Sequence, residues 1–435
     1  MAFQRVIDSK GLNIPEYQFS SFAENVKNET VIIPSTSQVA FGGYSTFDFR
    51  EKSLLLNDVV LQFQLQNVTG GTKNTSGSDP NMYPRMIPCF AWFTRIEIVQ
   101  NNNIIDTIYP VANFLLHQMF VADEQRKLLN YGAGNYLDSV NCYYKTFYGD
   151  YWYLPLWSYF KTSHMPMLYP KDDLQIRLYM DNLSNLVITD PASGTPAFNA
   201  SLSCNLICNV TRLGQDVNLY RLQSLNRKIE HYKFLELRYA TYAISAGVNS
   251  TNVVMNAITG NVVYLLAVVR PQSKTSTYIA GPAQPFYYYP VLNFSILDST
   301  STNITGGQPI PLSLLKQFLS RKFIASSYYS DNYALAQSGL YISSSWFPSF
   351  TPTTTANPST GVFTPFSNAI IYAFADNPVD AANSGTSSGA FRFQGSEQLQ
   401  LQFQSALPEG VNIDIYAFVE SVVEVSPTYV KKINL

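Results

Sequence analysis

Hydrophobic and polar residues alternate with a period of two along much of this chain. Val59, Leu61, Phe63 and Leu65 fall on one parity, and Val60, Gln62, Gln64 and Gln66 on the other. That period puts most of the apolar groups on one face and amides on the opposite one, which predicts a half-buried β-strand. The tetrapeptide LQFQ at 61–64 recurs at 401–404. In the second copy Leu399, Leu401 and Phe403 lead into Leu407-Pro408-Glu409-Gly410, and Val411, Ile413 and Ile415 resume on the same parity. With Pro408 at a turn position that its fixed φ suits, this pattern predicts a hairpin. Glutamine on an outer face is uncharged and either donates or accepts, so such a face can meet water or another polar surface without desolvating an ion.

Other segments read the same way. RIEIVQNNNIIDTI has two alternating runs separated by Asn101-Asn102-Asn103, which predicts a hairpin. LQIRLYM places Leu174, Ile176, Leu178 and Met180 on one face. Within 111–129, Phe114, Leu115 and Met119 are near helical spacing and predict a short helix. Between 216 and 232 the period changes, with Leu222, Leu225, Ile229 and Tyr232 spaced three, four and three apart, which predicts a second helix and a domain boundary. Beyond it HYKFLELRYATYAI, NVVYLLAVV, AIIYAFA and a final run from Ile415 to Val425 are strand-like, punctuated by Ser/Thr-rich loops such as FPSFTPTTTANPSTG. Two blocks of short strands with one helical joint predict two all-β sandwiches in tandem, and the repeated LQFQ fits a duplication. YWYLPLWSYF, from Tyr151, is apolar on both parities, so both of its faces are expected to be covered, in a core or a subunit interface rather than by a sugar.

Composition points to assembly. Charged residues make up 13% of the 435 and aromatics 14%, against about 25% charged in an average soluble protein. Much of the surface that is not core is therefore expected to meet other subunits. The net charge of -2 and the lack of a long basic run give no footprint for nucleic acid, and Lys431-Lys432 reads as a short exposed pair. The first residues contain no apolar core of the length a secretory signal needs, and no uncharged run approaches a membrane span, which predicts synthesis in the cytosol. Nine N-x-[ST] triplets are then the chance product of a chain rich in Asn, Ser and Thr.

The motifs that could carry chemistry are each incomplete. GTSSG at 385–389 fits G-x-S-x-G, but strand-like AFRF follows it and the last histidine, His231, lies far upstream of Ser387. His117, His164 and His231 are too scattered for a zinc motif. Cys89, Cys142, Cys204 and Cys208 are too few and too irregular for a disulfide scaffold. Leu202, Cys204, Leu206, Cys208 and Val210 share one parity, so both thiols are expected inside a strand's apolar face as small hydrophobes. Asp172-Asp173 reads as a polar turn before a strand rather than a catalytic pair. Gly42-Gly43 and Gly70-Gly71 lack the spacing and the following helix of a phosphate loop. No cofactor and no metal are implied, and an enzyme is not expected.

Taken in order, five tracts resemble the double jelly-roll major capsid proteins of double-stranded DNA viruses, the family found in nucleocytoplasmic large DNA viruses, virophages and polinton-like viruses. LLLNDVVLQFQLQN is similar to the family's early strand, and FTRIEIVQNNNIIDTIYPVANFLLHQM to its strand, turn, isoleucine-aspartate strand and short helix. WYLPLWSYFKTSHMPMLYPKDDLQIRLYM resembles the stretch where an aromatic strand leads through a proline-leucine segment into another strand. IIYAFADNPVDAANSGTSSGAFRFQGSEQLQLQF, with Pro378, Ser384-Gly385 and Phe391, is the most specific match, and NLYRLQSLNRKIEHYKFLELRY resembles the joint between the two jelly rolls. Asn383, the length between Thr386 and Phe391, and the glycine near Ser396 depart from the large-virus members and point to the polinton-like or virophage branch.

The resemblance implies two tandem eight-stranded jelly-roll sandwiches with short helices in the connecting loops. The expected divisions are an N-terminal arm at 1–30, a first jelly roll at 31–216, a helical linker at 217–232, a second jelly roll at 233–427 and a tail at 428–435. It also implies a homotrimer forming a pseudo-hexagonal capsomer that tiles an icosahedral shell in the virion, assembled in the host cell. Penton and minor capsid proteins are expected partners; sequence-specific nucleic acid is not. Residues 151–160 and 286–289 are expected in inter-domain or inter-subunit packing, and the arm is expected to order only on assembly. A jelly-roll sugar-binding protein, stacking exposed Trp and Tyr on glycans, is the alternative.

Overall fold

The computed structural model describes residues 5–7, 13–15, 26–49, 54–69, 85–86, 89–100, 102–120, 129, 132–133, 151–158, 174–188, 199–213, 229–272, 289, 291–311, 369–376, 387–426 and 430–434. The first group of strands is β1 (Arg5–Ile7), β2 (Asn13–Pro15), β3 (Val26–Pro34), β4 (Tyr44–Phe49), β5 (Leu54–Thr69), β6 (Arg85–Met86), β7 (Phe93–Gln100), β8 (Asn103–Ile108), β9 (Tyr151–Pro155), β10 (Leu174–Met180), β11 (Val187–Ile188) and β12 (Asn199–Leu213). The second is β13 (Glu230–Ile244), β14 (Ser250–Val254), β15 (Thr259–Pro271), β16 (Val291–Leu297), β17 (Ile310–Pro311), β18 (Ile370–Ala373), β19 (Phe391–Gln394), β20 (Gln398–Phe403), β21 (Val411–Val425) and β22 (Val430–Asn434).

Two sheets, β3-β12-β5-β9 and β4-β10-β7-β8, make the first sandwich, and β13-β21-β15-β18 and β14-β20-β16-β17 make the second. Numbering the eight principal strands of each unit in chain order gives 1-8-3-6 for one sheet and 2-7-4-5 for the other, in both units. Identical order in both halves is a duplicated jelly roll. We call the 1-8-3-6 sheet of each unit its B-sheet. All pairs are antiparallel, and inward alternation closes each core: Val59, Leu61, Phe63 and Leu65 of β5 face Leu202, Cys204, Leu206 and Cys208 of β12, all buried.

The LQFQ copies do not mark the duplication. The first lies in the third strand of unit one (β5), the second in the seventh strand of unit two (β20). Nor do Leu399–Phe403 and Val411–Ile415 form a hairpin, because β20 and β21 belong to opposite sheets. Their parity matches because both strands point into the same core. The link is a corner pinned by Leu407, whose backbone exchanges hydrogen bonds with Gly247 and Val248.

The NNN segment is a true hairpin between β7 and β8, with Asn102 at φ 60, a left-handed conformation that Asn tolerates. The helix expected within 111–129 is Pro110–Phe120. The linker helix expected at 217–232 meets a strand in its last residues, since Glu230–Tyr232 already belong to β13 and pair with Val423–Val425 of β21; its remainder falls mostly outside the described residues. At the C-terminus the expected tail is the strand β22, which takes the lane beside β21 that β15 leaves beyond Val419. Val26–Thr30, assigned to the arm, belong to β3 and pair with Thr211–Leu213 and their neighbours.

Candidate assembly surfaces

The two units meet along one seam. On it the Pro110–Phe120 helix, the end of β8 and Trp157 of the first unit lie on the outward face of the second unit's B-sheet. Tyr109 sets the contact: its ring centroid is 4.5 Å from that of Tyr239 and 6.2 Å from that of Tyr416, which themselves stack at 5.1 Å. Phe120 touches Tyr264 at 5.9 Å, and Tyr264 stacks on Phe418 at 4.3 Å. The helix is held to its own unit by Asn113, whose amide donates to the Pro155 carbonyl at 2.9 Å and accepts from the Trp157 N–H at 2.8 Å. A cavity of about 20 Å³, room for one water, lies at the seam between Asp106, Asn113 and Ser158 on one side and Leu237, Tyr264 and Phe418 on the other.

The covered face is built for permanent burial. Its rows across the sheet read Leu237–Phe418–Tyr264–Ala373 and Tyr239–Tyr416–Leu266–Ile371, apolar or aromatic in all four strands. At its border Asp414, fully buried, accepts from the Arg270 guanidinium and from the Tyr239 hydroxyl at 2.8 Å. Burial and the Asp414 carboxylate push Tyr239 up to about 12. Burial alone would lower Arg270, but Tyr416 and Asp414 outweigh it and hold the guanidinium charged.

The equivalent face of the first unit, on β3-β12-β5-β9, has a different surface. Gln62, Gln64 and Gln66 of β5 stand beside Ser201, Ser203 and Asn205 of β12, joined by Gln66 to Ser203 at 3.4 Å, Asn205 to Gln62 at 3.5 Å and Gln62 to the Tyr153 hydroxyl at 3.3 Å. Among the described residues Asp58 is the one charged side chain on this face. One row interrupts the amides: Ile32–Ile207–Val60–Pro155 runs across all four strands. Ile32 is 60% exposed, Tyr151 44% and Tyr153 36%.

The stretch from Tyr151 therefore splits. Trp152, Leu154, Leu156 and Trp157 are buried, but the rings of Tyr151 and Tyr153, on the outward side of the edge strand β9, stay partly exposed, with Gly132 against the Tyr153 side chain. Residues 159–160 lie outside the described residues, as do 286–288; Tyr289 is buried in its own unit, donating to Glu409 at 2.7 Å. Of the arm, only β1, β2 and the start of β3 are described.

The other candidate residues that the structure describes lie apart from one another. Cys204 and Cys208 are buried as their parity predicted, and burial raises both thiols above their ordinary range. The Ser387 hydroxyl caps a loop, donating to Glu420 at 3.0 Å, and strand β19 follows it. His117 is buried with Nδ1 2.7 Å from the Asn113 carbonyl, whereas His231 is exposed and 3.2 Å from Glu424. His164, Cys142, Asp172, Asp173, Gly70 and Gly71 lie outside the described residues. Lys432, read as surface charge, instead holds the buried Glu236 at 2.7 Å, a cross-strand role invisible without β22. Among the described residues no three His, Cys, Asp or Glu side chains are grouped to hold a metal ion, and no helix is long and apolar enough to cross a membrane.

No family model matches the sequence, and no curated protein matches it either. Solved structures do match the fold. VP54 of the virus PBCV-1, as fitted into a reconstruction of the virophage Sputnik, is 13% identical with a TM-score of 0.64, covering 94% of this chain and 97% of that one. The major capsid protein of Faustovirus is 9% identical with a TM-score of 0.59, covering 92% and 91%. The Sputnik virophage structure itself gives 9%, 0.54, 94% and 88%. At these identities the likeness establishes the fold, and the fold is the double jelly roll of these capsid structures.

Proposed function

We propose that this chain is the major capsid protein of a double-stranded DNA virus, a structural subunit that forms homotrimeric, pseudo-hexagonal capsomers tiling an icosahedral shell. The observation that carries the reading is the seam. It joins the fifth-strand side of one jelly roll to the B-sheet face of a topologically equivalent one, a heterologous contact. Heterologous contacts repeat, and they close into rings when the rotation per step allows. Three chains of two units each would place six similar wedges around one axis.

Two further points support it. The viral capsid structures that share the fold do so over about nine-tenths of both chains. Low charge also suits a surface destined for burial against copies of itself, in obligate contacts larger than the ~1,600 Å² of a standard interface. On this reading the protein acts mechanically in the virion and is not an enzyme. Its partners are its own copies, then penton and minor capsid proteins, and it is made and assembled inside the host cell. Electron microscopy of the purified protein tests this directly. Six-lobed particles of three times the chain mass, or closed shells, are expected; a stable monomer at micromolar concentration overturns the reading. The exposed rings of Tyr151 and Tyr153 favour one second reading, a sugar-binding jelly roll. Glycan binding by a stable monomer would select it.

A further inference from the structure

We infer that the seam between the two units closes around one internal water, bridged between the Ser158 hydroxyl and the Asp106 carboxylate. This is a solvent site of the single chain, independent of how chains assemble, and it ties together the two segments of the first unit that carry the seam.

Two observations carry it. The seam cavity of about 20 Å³ has the room a single water needs, and Asp106, Asn113 and Ser158 stand among its lining residues. Ser158 is 4% exposed, and its hydroxyl has no hydrogen-bond partner among the described residues. A buried hydroxyl without a partner is costly, and a water in the adjoining cavity removes that cost. Asp106 is the other polar wall. Its register opposite Ile98 turns its side chain toward the interior of the first unit, where it is 5% exposed. One of its oxygens accepts the Thr107 N–H at 2.9 Å, and an ionised carboxylate has about four acceptor positions to satisfy. Asn113 is committed on both amide atoms, to Pro155 and Trp157, so it shapes the site rather than anchoring the water.

The two units play different parts. The first supplies the polar wall, Asp106 from β8 and Ser158 from the segment after β9, and the second lays Leu235, Leu237, Phe418 and the Tyr264 ring over it as a cover. Docking of the second unit therefore traps the water. Tyr109 closely follows Asp106 in the chain, and Trp157 immediately precedes Ser158, so the bridge holds the two ring-bearing segments of the first unit at a fixed spacing. Stacking of Tyr109 on Tyr239 and of Trp157 on Phe120 is non-directional by comparison. A hydrogen-bonded bridge is directional, and bulk solvent cannot replace it once the seam is closed.

The test uses the full chain. A crystal or cryo-EM structure at about 2 Å or better should show one density peak within hydrogen-bond distance of both Ser158 Oγ and an Asp106 carboxylate oxygen. Pressurising crystals with xenon should leave the site unchanged, because xenon enters dry apolar cavities. Ser158→Ala decides by the sign of its effect. With the water present the variant loses a hydrogen bond, and amide exchange in the Pro110–Phe120 helix, whose Ala112 and Leu116 line the cavity, should rise about two- to tenfold. In a dry cavity the same change removes an unsatisfied hydroxyl, and exchange should slow. Asp106→Ala also loses the Thr107 contact, which a double-mutant cycle subtracts. Because Ser158 and Asp106 share no direct hydrogen bond, their coupling passes through the water, so Ser158→Ala should change exchange by less than about twofold in the Asp106→Ala background. Far-UV dichroism and melting check that each variant folds. A site without the peak or filled by xenon, exchange that is unchanged or slower in Ser158→Ala, or effects that simply multiply in the double variant each overturn the inference.

Discussion

Breaking the Arg270–Asp414 pair should destabilise the second jelly roll far more than removing it whole. Asp414 has no exposed surface and Arg270 keeps only 20% of its side chain in contact with solvent, so the ion pair sits where water cannot replace a lost partner. Arg270→Met leaves the carboxylate with the Tyr239 hydroxyl alone, which should cost about 3–5 kcal/mol. At roughly 2–4 °C per kcal/mol for a unit of this size, melting should fall by about 6–20 °C. Arg270→Met with Asp414→Leu and Tyr239→Phe removes every polar member of the group, and should recover most of that loss. Equilibrium unfolding in urea reads the energies, and hydrogen exchange at β21 reads them even where heating is irreversible. Because Tyr239 also carries the ring that meets Tyr109, the single variant should raise exchange in the Pro110–Phe120 helix across the seam. If the losses simply add, so that the triple variant is the least stable of the set, the account of this buried group is wrong. The same site sets an alkaline limit. Tyr239 titrates higher folded than unfolded, so its contribution is complete below pH 10 and is lost as pH rises through about 12; Tyr239→Phe should flatten that limb.

Three other outcomes can be measured. Burial alone would raise Glu236, but Lys432, Ser421 and Arg238 outweigh it and hold the carboxyl below its ordinary value, so its contribution is present above about pH 4.5 and disappears as pH falls through the lower folded value. Glu236→Gln should flatten acid unfolding, and Lys432→Met should raise exchange in β22 at neutral pH. The buried Glu397 carboxylate accepts the backbone N–H groups of Gln394, Gly395 and Ser396 at 2.9–3.2 Å; Glu397→Ala should cost about 3 kcal/mol or more, and Glu397→Gln less, in denaturant melts. Trp92 is fully buried against Trp152 at 4.9 Å and Phe63 at 5.4 Å; Trp92→Ala should lower the stability of the first unit by about 3–5 kcal/mol in the same assay.

Alternation exposed the strands because each sheet has one face on a core, and β10, with Leu174, Ile176, Leu178 and Met180 all inward, is the plainest case. The same signal could not separate a hairpin from a corner. Parity reports which side faces oil, and at Leu399–Phe403 and Val411–Ile415 both answers agree whether the strands pair or face one another across the sandwich. The helical spacing from Leu222 ran on to Tyr232 because period alone does not mark where a strand begins, and Tyr232 already pairs with Val423 in the ladder of β13 and β21. Residues 151–160 read as covered on both faces, in a core or a subunit interface, because aromatic content says nothing of which chain does the covering. Lys432 was hidden because its role depends on a five-residue strand that no hydrophobic period announces.

The recurrence of LQFQ has a physical cause that does not need common descent of the two segments. In β5 the glutamines stand on an outward face beside Ser203 and Asn205. In β20 Gln398, Gln400 and Gln402 stand outward beside Asn252, Ser295 and Asn293, with Asn293 donating to Gln402 at 2.9 Å and Ser295 to Gln400 at 3.2 Å. Both are inner strands, paired on two sides, with an apolar core beneath and an uncharged surface above. The first unit's other sheet shows the alternative: there Arg95 lies 3.8 Å over the Tyr179 ring and holds Glu97 at 2.8 Å, so the outward positions are charged and committed to each other. Amides linked across strands stay soluble in the free chain and can exchange those bonds for a neighbour's at little cost. Leu and Phe below with Gln above is what any central strand must write when its outer side has to be both wet and coverable, and this chain needs such a strand twice.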